Sequence, residues 1–224
     1  MGSSDSANLE FGDKRPTPEY PSTVMICGTS KYRADITAGA LKVPETRIIA
    51  GLLLGGVDEQ ELKRALISDN VLQARNSATA IRIARLIKAR LALMDAELWK
   101  MIYEGTSVVA VHAALAAAIK HSLLLGDFLD LVVREQYRLF NPVLSNKLWD
   151  DLTDCRGRDP DMPEWNESTR RRLRSSVFQT LAQAGFIENT KTLKLQPVHI
   201  APQVLRYLTN RNEEYVLRCI QVSP

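Results

Sequence analysis

The chain is poor in cysteine, in histidine and in long apolar runs, and each shortage removes a class of function. Cys27, Cys155 and Cys219 are odd in number, widely spaced and in no CxxC pair. That pattern excludes a disulfide framework and fits free thiols in a cytoplasmic protein. His112, His121 and His199 are too scattered for a metal motif, and neither HExxH nor GxSxG occurs. No GxxxxGK[ST] loop is present to cradle phosphates with backbone amides. No cofactor, no metal and no catalytic residue are therefore assigned, and an enzyme is not expected. The uncharged stretch 105–119 stops at Lys120, and Asp127, Asp130 and Arg134 follow. It is shorter than the roughly 20 residues that a membrane-spanning helix needs, so it is expected in a core and not in a membrane. The polar N-terminus fits no secretory signal.

What remains is a chain of ordinary globular composition. Its 224 residues are 45% hydrophobic, enough for a sizeable core without staples. A net charge of only +3 means that any affinity for nucleic acid has to come from local basic patches.

The most informative patch lies in 165–187, WNESTRRRLRSSVFQTLAQAGFI. Ser168 or Thr169 suits an N-cap and Gly185 a left-handed C′ residue. Leu173, Val177, Leu181 and Ala184 recur on one helical stripe. The opposite face carries Arg171, Arg172, Ser175, Ser176, Gln179 and Gln183, donors without an acid. Phe186-Ile187, the turn ENTKT and Leu193-Lys194-Leu195 then read as a β-hairpin. A basic, amide-rich helix followed by a hairpin is the winged helix-turn-helix pattern, whose helix lies in a DNA major groove. An ordinary amphipathic helix with a solvated basic face is the plainer alternative.

Taken in order, residues 1–30 are rich in Ser, Pro and charge and are expected to form a flexible N-terminal arm. Residues 31–140 read as an N-terminal helical domain and 141–224 as a C-terminal winged-helix-like domain, divided at Asn141-Pro142. In the first, Pro44 opens a helix that ends at Gly55-Gly56, and Asp58 caps a second. A third runs from Ser77 to about Met94, with Ile83, Ala84, Ile87, Leu91 and Met94 inward. No acid lies between Asp69 and Asp95, whereas Arg75, Arg82, Arg85, Lys88 and Arg90 do. Two short helices, a turn and a longer cationic helix repeat the helix-turn-helix order. Helices follow from Asp95 to Gly105, over Ser107 to His121, from Leu123 to Phe140 and from Ser145, with 156–163 as a link. Pro202 opens another, and 215–222 suits either a strand or a last helix. The fold class expected is mainly α, a helical bundle with two helix-turn-helix-like elements, the C-terminal one winged.

The other chemical candidates are weak. His112 on an apolar helix reads as a hydrogen-bonded core residue. Glu61-Leu62-Lys63 matches half of a nuclease signature but sits on a helix and not a strand. Asp150, Asp151 and Asp154 read as a solvated acidic surface, since adjacent positions face different ways on a helix. Trp149 and Trp165 suit packing.

The order of several short segments resembles the BrxA family of BREX phage-defence proteins. These are Ile36-Thr37-Ala38-Gly39, Arg47-Ile48-Ile49-Ala50, Asn70-Val71-Leu72-Gln73 and 80–85, then FLDLVVRE at 128–135 and WNESTRRRLR at 165–174. The resemblance covers about 32–210. It implies a bacterial cytoplasmic helical protein that binds DNA without known catalysis beside other BREX components, among them a methyltransferase and an ATPase. The family is also likened to an RNA-binding antitermination fold, which leaves RNA open, and it supplies no catalytic residues.

The expected function is a double-stranded-DNA-binding subunit. Phosphate contact is assigned to Arg82, Arg85, Lys88, Arg171, Arg172, Arg174, Lys191 and Lys194, with the helix N-termini at Ser77 and Ser168. Base-edge contact is assigned to Ser175 and Gln179. A protein-interaction adaptor for other BREX subunits is the rival reading, and an RNA binder the third.

Overall fold

The computed structural model describes residues 32–156 and 163–223. The expected N-terminal arm, and most of the link after residue 156, lie outside them. Ten helices follow a short 3-10 turn at Asp35–Ala38. They are α1 Val43–Leu54, α2 Glu59–Ile67, α3 Ser77–Leu91, α4 Ala96–Glu104 and α5 Ser107–His121. Then come α6 Leu123–Arg138, α7 Asn146–Arg156, α8 Glu167–Gln183, α9 Pro202–Asn210 and α10 Glu214–Ile220. The segment 215–222 thus resolves largely into a helix.

Local chemistry explains most of these bounds. Asp58 accepts from the Glu61 amide at 2.8 Å while the Glu61 carboxylate accepts from the Asp58 amide at 3.0 Å, a complete capping box. Asp95 and Thr106 cap α4 and α5 through their side-chain oxygens alone, without the reciprocal bond. Gly185 takes φ +83°, and the Phe186 amide reaches back to the Leu181 carbonyl at 2.9 Å, closing α8 as a Schellman motif. The centre of α6, Phe128–Val133, is wound as a π-helix.

Helix α5 is the axis of the molecule. Its alanines Ala110, Ala113, Ala114, Ala116, Ala117 and Ala118 are all buried. Small side chains on nearly every face let α1, α3, α4, α6, α9 and α10 pack around it. His112, buried in the same helix, accepts from the Ala201 amide through Nδ1 at 3.0 Å and so fixes the start of α9. No helix among the described residues is long and apolar enough to cross a membrane. Helices α5 and α6 pass such a test only as a pair, bent by 110°, and both line the core. One apolar cluster runs from Tyr32 to Val222, joined by the Phe128–Trp149 and Phe128–Phe178 ring contacts.

The wing is a correction. Among the described residues there is no β-strand, only isolated antiparallel bridges between Ile187 and Leu195 and between Val143 and Lys194. The expected hairpin does not extend because both of its ends belong to other structure: the Phe186 amide is bound to the Leu181 carbonyl in the α8 cap, and 189–193 closes as a tight turn. Two bonds frame the Ile187–Leu195 bridge, from the Glu188 amide to the Lys194 carbonyl at 2.8 Å and from the Gln196 amide to the Phe186 carbonyl at 2.9 Å, while the Leu195 amide, on the opposite edge, donates to the Pro142 carbonyl at 2.8 Å. The turn itself is helix-like: Leu193 has φ +50° and its amide returns to the Asn189 carbonyl at 3.1 Å. The Asn189 side chain holds the amides of Lys191 and Thr192, each at 2.9 Å. The fold class is therefore mainly α without a winged hairpin. The α2–α3 connection, 68–76, is also longer than the three- or four-residue turn of a standard helix-turn-helix.

A strap over 32–42 ties distant helices together. Tyr32 donates to Asp127 at 2.7 Å, and the Leu41 amide donates to Gln183 Oε1 at 2.9 Å. Arg90 is buried and donates to the carbonyls of Ala40 at 2.7 Å and Gly39 at 3.2 Å. Burial lowers its guanidinium to about 10, with Asp35 opposing the shift. Arg90→Ala should destabilise the chain by about 3 kcal/mol in urea unfolding, because two strap carbonyls and Asp35 lose a buried partner. Arg85→Ala, on the exposed face of the same helix, should stay within about 0.5 kcal/mol.

Burial lowers His112 from its ordinary 6.5, so below that value the unfolded chain binds a proton that the native chain refuses. The stability at stake is complete above 6.5 and is lost as pH falls through it towards the native value. His121 is lowered in the same sense by burial, against the pull of Asp35. The Asp35 carboxyl is raised by burial, so its own contribution has the opposite sign and acts at lower pH. The urea midpoint should fall from about pH 7.5 to about pH 5.5. His112→Asn, which keeps an acceptor for Ala201, should flatten part of that slope.

Candidate nucleic-acid interface

The basic face of α8 borders a groove of about 470 Å³, lined by Asn146, Arg171, Arg174, Ser175, Phe178, Gln179 and Thr190. Four of the residues assigned from sequence, Arg171, Arg174, Ser175 and Gln179, thus share one concavity. The helix brings them there because positions 171, 174, 175 and 178 are neighbours three and four apart. The inward stripe of Leu173, Val177, Leu181 and Ala184 is buried as expected. Helix α7 supplies Asn146 to the groove and the 189–192 turn supplies Thr190.

The cations differ in availability. Arg172 is exposed and has no ion pair among the described residues. Arg171 is exposed and pairs with Glu167 at 3.4 Å, one turn earlier. Arg174 is half-buried and directs Nη1 at both oxygens of Asp150, at 3.1 and 3.2 Å. Arg170, which was not assigned, pairs with Asp154 and donates to Thr153 Oγ1 at 2.9 Å. Asp150 and Asp154 are therefore engaged by arginine and are more than a solvated acidic surface. Ser176 and Gln183 leave the polar face: Ser176 is buried, and Gln183 holds the strap.

Both basic helices are capped by asparagine. Asn166 accepts from the Thr169 amide at 2.8 Å, and Asn76 accepts from the Thr79 amide at 2.8 Å. Ser168 is not the cap; its hydroxyl donates to Asn166 Oδ1 at 2.8 Å. Ser77 is the first residue of α3 and is exposed. Arg82 and Arg85 are exposed, Lys88 is partly so, and none has an ion pair among the described residues. The groove contains none of the α3 residues. The strap is the element that touches both helices. Lys191 and Lys194 are exposed on the 188–195 segment, outside the groove lining. Arg90, the remaining cation of α3, is spent on the strap.

Other readings fall away on position. Glu61 caps α2 and Lys63 sits on the same helix. Among the described residues no group of three His, Cys, Asp or Glu is arranged to hold a metal ion. Trp149 is fully buried and Trp165 packs against the core.

The sequence-assigned residues of α8 thus meet in a polar, arginine-lined helical groove. Comparisons with known proteins place the chain that carries it in a family. The BrxA family model matches residues 30–212. The chain is 52% identical over 194 residues to the BREX protein BrxA of Paramagnetospirillum magneticum, covering 86% of this chain and 98% of that one. It is 28% identical over 198 residues to the BREX protein BrxA of Escherichia coli O9:H4, covering 88% and 93%. The crystal structure of an uncharacterized protein from Magnetospirillum magneticum superposes with a TM-score of 0.80 at 50% identity, over 86% of this chain and 100% of that one. The chain belongs to the BrxA family, and so to the components of the BREX phage-defence system.

Proposed function

We propose that this BREX component acts in the bacterial cytoplasm as a non-enzymatic subunit that binds double-stranded DNA, mainly through phosphates. The α8 groove carries the reading. Arg171, Arg174, Ser175 and Gln179 present charge-assisted and neutral donors side by side, with Arg172 exposed on the same helix. Phosphate contacts of this kind position a protein on a duplex, and Ser and Gln side chains are the ones placed for base edges. The exposed cations of α3, Arg82, Arg85 and Lys88, add a second basic face.

A protein-adaptor reading is favoured by a different observation. Phe140 is 92% exposed, and Leu139 and Val143 are exposed beside it. Exposed apolar side chains gathered at one turn of the chain suit a protein contact.

A salt titration separates the two. Binding of a random duplex should weaken steeply between low and physiological salt, with a log–log slope that drops by roughly 0.9 for each phosphate contact removed. Arg171→Ala with Arg172→Ala should lower that slope, and Arg82→Ala with Arg85→Ala should lower it only if both helices grip one duplex. Unaltered slopes in both double variants, with thermal melting intact, would mean that these faces are merely solvated. Stronger competition by RNA than by duplex would favour the antitermination-like reading.

A further inference from the structure

Two carboxylates on α7 face two arginines on α8. Asp150 and Asp154 are four residues apart, and so are Arg170 and Arg174; they pair crosswise, Asp150 with Arg174 and Asp154 with Arg170. Residues four apart share a helix face, so the pairing forms one ladder between antiparallel helices and not two accidental contacts. The ladder touches the groove directly, because Arg174 is both a lining residue and the partner of Asp150.

We infer that Asp150 and Asp154 are an internal phosphate mimic that holds Arg174 and Arg170 back from the nucleic acid and sets how tightly the groove binds it. The inference rests on the DNA-binding reading and concerns regulation of that same site. Its physical basis is competition. A carboxylate presents two anionic oxygens to guanidinium in the same forked geometry as a phosphate. Asp150 brings both of its oxygens to one nitrogen, Nη1 of Arg174, the charge a phosphate oxygen would otherwise meet. The carboxylate side chains are 46% and 66% exposed, so water screens the pairs and exchange for another anion is inexpensive. A duplex entering the groove therefore either displaces the aspartates or meets their negative charge. Either course weakens binding relative to a groove in which both arginines are unengaged.

The test uses the full chain and a fluorescent random duplex, measured by anisotropy at several salt concentrations. Asp150→Asn with Asp154→Asn should tighten binding by about tenfold at low salt, roughly threefold for each carboxylate removed. It should also steepen the log–log salt slope by up to about 1.8, since each released arginine can engage one phosphate at about 0.9. Asp151→Asn is the control. Asp151 is exposed and has no ion pair among the described residues, so Asp151→Asn removes one negative charge, as each single Asp150 or Asp154 variant does, without touching the ladder. It should tighten binding far less. The single variants Asp150→Asn and Asp154→Asn, each with its melting temperature recorded, serve if the double variant does not fold. Equal tightening by Asp151→Asn would reduce the effect to bulk charge and overturn the mimic. Weaker or unchanged binding in the folded variants also would, and weaker binding would mean that Asp150 instead orients Arg174 towards phosphate. If neither wild type nor variant binds duplex at low salt, the DNA-binding reading itself fails. Binding by wild type without a gain in the variants overturns the mimic alone.

Discussion

The grip of Arg90 on the strap carbonyls is the contact on which the arrangement of the site depends. A guanidinium placed in an apolar interior is costly unless its protons are used. Here Nη1 and Nη2 donate to Ala40 and Gly39, Nε has no partner among the described residues, and Asp35 nearby is the compensating charge. Fixing those carbonyls fixes the next residue, and the Leu41 amide then meets Gln183 near the end of α8. One buried cation on α3 thereby helps to set the position of the helix that carries the groove. The strap is held at its other end by Tyr32 on Asp127, whose carboxylate also receives the Tyr215 hydroxyl at 3.1 Å. The N-terminal and C-terminal parts of the described chain are thus joined through polar contacts as well as through the shared core.

Around that frame, the electrostatics of the two basic helices differ in kind. On α3 Arg82, Arg85 and Lys88 make no ion pair among the described residues. On α8 three of the arginines are already answered, by Glu167, Asp150 and Asp154. A face that reads as uniformly cationic along the helix is locally close to balanced once α7 is beside it. Formal charge along a sequence is therefore a poor guide to the potential over a folded groove, where partners come from other elements.

A second surface stands apart from the basic one. Phe140 takes φ +54°, an unusual conformation for an aromatic residue, and lies almost wholly in solvent at the end of α6. Asn141 then turns its amide back to the Gln136 carbonyl, and Pro142 leads into the paired segments near 143 and 194. The same break that reads from sequence as Asn141-Pro142 is thus where the chain leaves a helix and displays Phe140, the most exposed large apolar side chain among the described residues.

The helices and the identity of the family were legible in the amino-acid sequence. Apolar spacing located α3, α5 and α8 because burial of a helical stripe imposes a period that few other structures share. The cap at Asp58 and the left-handed Gly185 were readable because those interactions are local, whereas the reciprocal bond from Glu61 was not read. His112 was recognised as a hydrogen-bonded core residue, although its partner Ala201 was not. The tertiary structure decided what depends on residues far apart in the chain. It turned the expected hairpin into isolated bridges, because the Phe186 amide is taken by the cap of α8 and the turn winds like a helix. It buried Arg90 and Ser176 and assigned Gln183 to the strap, although all three look like members of a polar face. It paired Asp150 and Asp154 with Arg174 and Arg170 across a gap of 16 to 24 residues. Periodicity records which side of a helix is apolar; which charges meet is settled only when another helix is laid against it.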